Sequence, residues 1–217
     1  VCTVCGGRLV DGEEVICLDC LLRLPVTDIH GSGLTRLHER VMSTHFQVDR
    51  AAAMMWYFRD SDYARLIHDA KYNRRPRVAR YLAHTYAREL IDSGFFDGID
   101  VVIPVPLHFT KLISRGYNQA MVIAEAVSSV TGIEIRENIV CRHAHSTQTR
   151  KGISARDANA REAYDITHPE ELDGKHILVV DDVITTGATL RACIDLIASN
   201  CKNTTHSILT LAASHLQ

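Results

Sequence analysis

The pattern of apolar and polar positions divides the chain into parts of different character. Residues 26–50 are mixed and follow no sustained period. From 62 to about 91, apolar residues recur three and four positions apart, as at Leu66, Ile67 and Ala70. This spacing predicts helices, and Pro76 is expected to interrupt them, because proline breaks a helix interior.

From about residue 98 the rhythm changes to short apolar runs that alternate with helical periods. The runs at 100–106, 175–181 and 207–213 are nearly continuous and rich in branched residues. Amphipathic segments at 116–130 and 188–199 follow the first two of these runs. Continuous apolar strands that alternate with helices are typical of a parallel sheet covered on both faces. The predicted fold class is therefore α/β, with a mostly parallel sheet flanked by helices.

A further strand is predicted at 133–141, and a long polar segment follows it at 142–160. Connections of that length are usually lids or binding segments rather than simple turns. The segment is therefore expected to be a lid or a binding segment, and the alternative is a loop with ordinary solvated charges.

Four of the seven cysteines lie in the first twenty residues, in the arrangement C-x2-C-x11-C-x2-C. Two such knuckles place four thiolates in a tetrahedron, which suits a structural Zn²⁺ held by Cys2, Cys5, Cys17 and Cys20. The alternatives are two local disulfides, free thiols or a redox pair. We predict a zinc-ribbon-like module at 1–25, a linker at 26–50 that becomes an edge strand near 51–58, and an α/β domain at 51–217.

Charge and composition exclude several classes of protein. Lys and Arg number 24 and Asp and Glu 26, for a net charge of −2, so no chain-wide basic field for nucleic acid exists. No 18-residue apolar span or secretory signal is visible, and an odd cysteine count fits a reducing cytoplasm. A local basic stretch at 71–80 is either a solvated connection or an anion-binding corner.

The segment ILVVDDVITTGAT at 177–189 contains the most informative chemistry. An apolar strand ends in Asp181 and Asp182, and a small hydroxyl-rich loop at 185–189 leads directly into a helix. Ligands of open parallel sheets bind at the carboxyl ends of strands, and a helix N-terminus suits a phosphate. Gly187 lets the backbone approach that anion closely. The two acids suit sugar hydroxyls or a divalent cation, and the glycine spacing disfavours a P-loop or a dinucleotide fold.

This segment resembles the phosphoribosyl-pyrophosphate (PRPP) motif of type I phosphoribosyltransferases. Other segments resemble the ComF/GntX family in order along nearly the whole chain, including the four-cysteine head. They are IHDAKY at 67–72, PVP at 104–106 followed by RGYNQ at 115–119, and Gln148, Arg156 and Asn159 in the polar segment. The resemblance implies a type I phosphoribosyltransferase-like core behind the zinc module.

The resemblance also implies roles for individual residues. Asp181, Asp182 and Arg115 are the expected catalytic residues, with Mg²⁺ bound beside PRPP. The expected PRPP- and phosphate-binding residues are Thr185, Thr186, Gly187, Ala188, Thr189, Lys71, Asn118, Gln119, Gln148, Arg156 and Asn159. For Asn118 and Gln119 the alternative is helix capping, and for Lys71 it is a packing corner.

The resemblance implies transfer of phosphoribose from PRPP with release of pyrophosphate, and a link to natural competence and DNA uptake. The expected compartment is the cytoplasm. The alternative is a non-catalytic PRPP- or nucleotide-binding module that contacts single-stranded DNA or a helicase-like competence protein. No element that reads a nucleobase is evident. Trp56, Tyr57 and Phe58 are available for stacking, although an apolar run of this kind is more often core.

Overall fold

The computed structural model describes residues 1–31, 36–41, 47–72, 75–142 and 163–214. Seven helices are described: α1 Leu18–Leu22, α2 Arg36–Val41, α3 Ala64–Tyr72, α4 Pro76–Asp92, α5 Phe109–Arg115, α6 Gln119–Thr131 and α7 Ala188–Asn200. Eight strands are described: β1 Val26–Gly31, β2 Arg50–Tyr57, β3 Val101–Pro104, β4 Glu134–Ile135, β5 Ile139–Cys141, β6 Tyr164–Ile166, β7 His176–Ile184 and β8 Thr205–Ser214. A short 3₁₀ turn at Pro169–Leu172 precedes β7.

Six strands form the main sheet, in the order β1-β2-β8-β7-β3-β4. Only β1 runs antiparallel to its neighbour, and every other pair in this sheet is parallel. Strands β5 and β6 form a separate antiparallel pair. The structure thus confirms the predicted α/β class with a mostly parallel sheet.

Helices cover both faces of the main sheet, because its central strands are apolar on both sides. Side chains of α3, α4 and α6 pack on one face, and those of α2 and α7 pack on the other. In β7 the run from Ile177 to Val180 is completely buried. Burial on both faces explains why this strand reads as a continuous apolar run rather than an alternation.

The segment at 26–50 differs from the predicted linker, because its described residues contain β1 and α2. Strand β1 pairs along β2, so β2 lies inside the sheet and β1 forms the edge. The register of β1 shifts between Val26 and Ile29, where Asp28 adopts a positive φ of 54°. This irregularity breaks the alternation of side chains that identifies a strand in a sequence.

The four-cysteine head packs directly on the sheet domain. Cys2, Val4 and Ile16 are buried in the same core as α3 and α4. From α3 and the turn before it, Arg65 Nη1 donates to the carbonyl of Val4 at 2.9 Å, and Tyr63 Oη donates to that of Cys20 at 3.0 Å. The head is therefore attached to α3, the helix that carries Lys71 in its last turn.

Helices and strands around the carboxyl edge refine the predicted boundaries. Helix α6 begins at Gln119, three residues after the predicted start, and α5 was not predicted. The strand predicted at 133–141 is divided between β4 in the main sheet and β5 in the small one. Of the polar segment 142–160, all but Arg142 lies outside the described residues.

Within the described part of the chain, every helix is too short or too polar to cross a bilayer.

Candidate functional site

A cleft of about 230 Å³ lies at the carboxyl ends of β3 and β7. Parallel strands of an open α/β sheet bind ligands at this edge, since the loops that follow adjacent strands converge there. The cleft is lined by Lys71, Val105, Pro106, Leu107, His108, Lys111, Arg115, Asn118, Gln119, Ala120, Cys141, Tyr164, Asp181, Asp182, Val183, Thr185 and Thr189. The structure therefore brings Asp181, Asp182, Arg115, Thr185 and Thr189 together in one cleft.

The two acids at the end of β7 have different surroundings. Asp182 is largely buried, and its Oδ1 lies 3.2 Å from Lys71 Nζ at the end of α3. Asp181 Oδ1 accepts the backbone N–H of Asp182 at 2.8 Å. Burial, followed by the neighbouring Asp182 carboxylate, raises the pKa of Asp181 to about 7. Near neutral pH the pair thus has less than its full negative charge, and Lys71 balances the charge of Asp182.

The loop after β7 is held from two sides. Gly187 has a φ of +78° and is the N-cap residue of α7. A Cβ atom at this position would lie 2.3 Å from the carbonyl oxygen of Arg40 in α2, so α2 approaches the loop closely. Arg40 Nη1 also donates to the carbonyl of Thr185 at 3.5 Å, and Arg191 Nη2 donates to that of Thr186 at 3.2 Å. These contacts hold the loop next to the first turn of α7, whose free N–H groups suit an anion.

Arg115 is the last residue of α5, and Gly116 ends that helix with a φ of +86°. Arg115 Nη1 donates to Gln119 Oε1 at 2.9 Å, and the guanidinium carbon of Arg115 lies 5.5 Å from the centre of the Tyr72 ring. Gln119 is only 2% exposed, and its Nε2 donates to the carbonyl of Ala70 at 3.3 Å. Gln119 therefore joins α6 to the end of α3 and orients Arg115 toward the cleft.

Asn118 is the N-cap residue of α6, as the capping alternative predicts. Its Oδ1 accepts the N–H of Ala120 at 3.1 Å, and its Nδ2 donates to the carbonyl of Val105 at 3.0 Å. Both ends of the amide are thus used to connect the end of β3 with the start of α6. Asn118 lines the cleft, but its hydrogen bonds serve to position these two elements.

In the described part of the basic stretch at 71–80, the positive charges are paired with carboxylates. Lys71 pairs with Asp182, and three arginines each lie within 3.2 Å of a carboxylate oxygen. These pairs are Arg75–Asp69, Arg77–Glu14 and Arg80–Glu125. The described part of the stretch, which leaves out 73–74, thus presents paired charges rather than a uniform positive surface.

Sequence reasoning did not single out Lys111, Arg40 or Arg191. Lys111 lies on α5 four residues before Arg115 and lines the cleft. Burial and then the nearby Arg115 guanidinium lower its pKa. The spacing of four would have paired Lys111 with Arg115 if the helix had been predicted. No local signal marks Arg40, because its role depends on the docking of α2 against the loop.

The aromatic residues considered for stacking lie at and after the end of β2. Trp56 and Tyr57 are half-buried and pack against the two cores, whereas Phe58 is 45% exposed. The first two therefore contribute to packing. Gln148, Arg156 and Asn159 lie outside the described residues.

The four cysteines of the head converge as the sequence predicts. Their sulfur atoms all lie within 4.8 Å of one another, and all four thiols are free. The sulfur atoms of Cys5 and Cys17 are 3.8 Å apart, and a Zn–S bond of about 2.3 Å gives a tetrahedral edge of about 3.8 Å. Backbone N–H groups of Gly7 and Cys17 point at the sulfur atoms of Cys5 and Cys2 at 3.4 and 3.3 Å. The cluster can thus hold a metal such as zinc in a closed, structural site.

Comparison with known sequences agrees with this geometry. The model of the family described as "Phosphoribosyl transferase domain" matches residues 77–202. Competence protein F of Haemophilus influenzae is 39% identical over 94 residues, covering 42% of this chain and 41% of that protein. DNA utilization protein YhgH of Salmonella typhi is 28% identical over 139 residues, or 62% of this chain and 60% of that protein. Competence protein ComFC of Bacillus subtilis is 25% identical over 214 residues, or 99% of this chain and 78% of that protein.

These names confirm the resemblance to the ComF/GntX family. The chain spans about two fifths to three fifths of the length of the first two relatives.

Proposed function

Since the chain belongs to the phosphoribosyl transferase domain family, we propose that its cleft binds PRPP and transfers the phosphoribosyl group with release of pyrophosphate. One observation carries this proposal. Asp181 and Asp182 lie near the carboxyl end of β7, which ends at Ile184, and the loop that leads into α7 follows that strand. Both acids line the same cleft as Arg115, together with Thr185 and Thr189 of the loop. The cleft thus offers a phosphate site, acceptors for hydroxyl groups and a cation for a second anionic group.

The loop from Thr185 to Thr189 is the proposed site of the 5′-phosphate. Its hydroxyl groups and the first N–H groups of α7 are donors, and the positive end of the helix dipole favours an anion. Arg40 and Gly187 bring α2 against the outer side of this loop. The loop is therefore fixed before the ligand arrives, which lowers the entropy lost on binding.

Asp181 and Asp182 are the proposed partners of the ribose hydroxyl groups. Carboxylate oxygens accept hydrogen bonds from a diol, and two adjacent acids offer more than one acceptor. The partly protonated Asp181 can also donate, because its pKa is about 7. The ion pair with Lys71 holds the Asp182 side chain in place.

The diphosphate is the proposed ligand of Arg115, whose planar guanidinium donates in pairs to phosphate oxygens. In the transfer step, the bond between the anomeric carbon and the diphosphate oxygen breaks, and its electron pair leaves with pyrophosphate. A lone pair of the acceptor forms the new bond to that carbon, and the acceptor's proton passes to solvent. Carboxylate oxygens of Asp181 and Asp182 are suitable Mg²⁺ ligands by donor type, and Mg²⁺ would neutralise charge on the diphosphate.

The biological setting is proposed from the relatives. Their names refer to competence and to DNA utilization, so we propose that this chain acts in the uptake or use of DNA. The described cations between Lys71 and Arg80 are paired with acids, so they give no support to direct DNA contact. The chain's contribution would then come through the PRPP cleft or through partner proteins.

The experiment that tests the transfer follows pyrophosphate release from PRPP and Mg²⁺ with a panel of nucleobase and amine acceptors. We expect release by the native protein and its loss in the paired variant Asp181→Asn and Asp182→Asn. The matched control is Asp11→Asn with Asp92→Asn, which removes the same charge at exposed positions. Release that persists in the cleft variant would contradict the roles of the two acids. If PRPP bound tightly but no acceptor led to pyrophosphate release, the proposed function would change from phosphoribosyl transfer to ligand sensing.

A further inference from the structure

Helix α5 reverses the usual arrangement of apolar and charged side chains. Phe109 and Ile113 are 67% and 61% exposed, and the helix buries no residue completely. Lys111 instead turns inward, is half-buried and lines the cleft beside Arg115. A helix at a protein surface normally turns its apolar face to the core and its charges to water. The reversal indicates that α5 keeps its cationic side toward the cleft for a ligand.

The three cations around the cleft differ in their partners. Lys71 forms a salt bridge to Asp182, and Arg115 donates to Gln119 and lies over Tyr72. Within the described ranges, Lys111 Nζ has no salt bridge and no side-chain hydrogen bond. A half-buried ammonium without a direct ion pair is unfavourable. The positive charges of Arg115 and Lys71 add to the cost, and the nearby Asp181 offsets part of it. An anion in the cleft would remove this cost.

We propose that Lys111, rather than Lys71, is the ammonium group that binds the diphosphate, together with Arg115 one helical turn later. This inference rests on the proposed function and assigns a specific residue to one part of it. Lys71 is committed to Asp182, so its charge is already neutralised in the free protein. Lys111 and Arg115 lie on the same side of α5, and residues four apart on a helix are neighbours in space. Two such cations match the two adjacent phosphoryl groups of a diphosphate.

The test is a calorimetric titration of inorganic pyrophosphate, and separately of PRPP, into the native protein and four variants. They are Lys111→Gln, Lys111→Arg, Lys71→Gln and the exposed control Lys202→Gln. Loss of a charged hydrogen bond is expected to weaken pyrophosphate affinity by roughly ten- to a hundredfold for Lys111→Gln. Lys111→Arg should recover most of that loss, and Lys202→Gln should bind like the native protein. Lys71→Gln should lose less pyrophosphate affinity than Lys111→Gln. Urea unfolding of each variant is the control that excludes a folding defect.

The two titrations separate this inference from the proposed function. Native protein that binds pyrophosphate but not PRPP would overturn the proposed function, while a selective loss in Lys111→Gln would still support the role of Lys111. Pyrophosphate affinity of Lys111→Gln within about threefold of native would overturn the inference even if PRPP bound tightly. The inference about Lys111 would also be overturned if Lys71→Gln lost more pyrophosphate affinity than Lys111→Gln. The same holds if the native protein bound no pyrophosphate.

Discussion

Substitution of Gly187 by alanine tests how α2 holds the proposed phosphate loop. Two costs add at this position. A φ of +78° lies in the left-handed region, where a residue with a Cβ costs about 1–2 kcal/mol. The new Cβ would also lie 2.3 Å from the carbonyl oxygen of Arg40 and 2.9 Å from its carbon. Because both atoms belong to the backbone, the loop or α2 must move, and overpacking of this kind costs about 1–3 kcal/mol.

The expected loss in unfolding free energy is therefore about 2–5 kcal/mol, the sum of the two costs. Gly132→Ala is the matched control, since its φ is +76° and no atom lies within 4 Å of the added Cβ. That control bears only the backbone cost of about 1–2 kcal/mol. The assay is equilibrium urea unfolding of both variants, with PRPP titrated into each.

We expect Gly187→Ala to lose at least ~1 kcal/mol more than Gly132→Ala and to bind PRPP more weakly. Equal losses in the two variants would show that α2 does not press on the loop. Unchanged PRPP affinity in Gly187→Ala would refute the position of the 5′-phosphate at this loop.

Three further predictions concern other parts of the molecule. The head should contain about one zinc per chain, measured by elemental analysis, and a strong chelator should lower the melting temperature; a metal-free protein with unchanged melting would contradict the zinc site. Burial, reinforced by His176, lowers the pKa of His206 from 6.5 to about 4. Between pH ~6.5 and 4, His206 therefore binds a proton in the unfolded chain but stays neutral in the folded protein. The free energy of unfolding should fall over this range by about 3 kcal/mol. His206→Gln should flatten this dependence in urea unfolding at several pH values, and an identical slope would refute the assignment. Asn118→Ala should lose about 1–2 kcal/mol of stability by removal of the cap, whereas Asn118→Asp keeps the cap acceptor and should lose less; equal losses in thermal unfolding would contradict the capping role.

The segment from Ile177 to Thr189 could be predicted from the sequence because its structure depends on neighbouring residues. An apolar run favours a buried strand, and Gly187 permits the turn into α7. The strand continues two residues past the acids, to Ile184, whereas the sequence predicts that it ends at them. The head could be predicted for a similar reason, since a four-cysteine spacing already specifies a tetrahedral set of thiolates.

Contacts between distant segments could not be predicted in the same way. The ion pair of Lys71 with Asp182 joins the end of α3 to the end of β7, and the approach of Arg40 to Gly187 depends on how α2 packs. Helix α5 was missed because its apolar residues face outward, so its sequence lacks the pattern of a helix packed on a core. Strand β1 was missed because its register is irregular at Asp28.

The central claim is that the acids and the loop at the end of β7 form a PRPP site. Calorimetric titration of PRPP, with and without Mg²⁺, into the native protein and the paired Asp181→Asn and Asp182→Asn variant tests it most directly. We expect one PRPP site per chain in the native protein and a loss of at least ~100-fold in affinity in the variant, since hydrogen bonds to two charged groups are lost. Equal affinity in the two proteins, or no binding by the native protein, would contradict the claim.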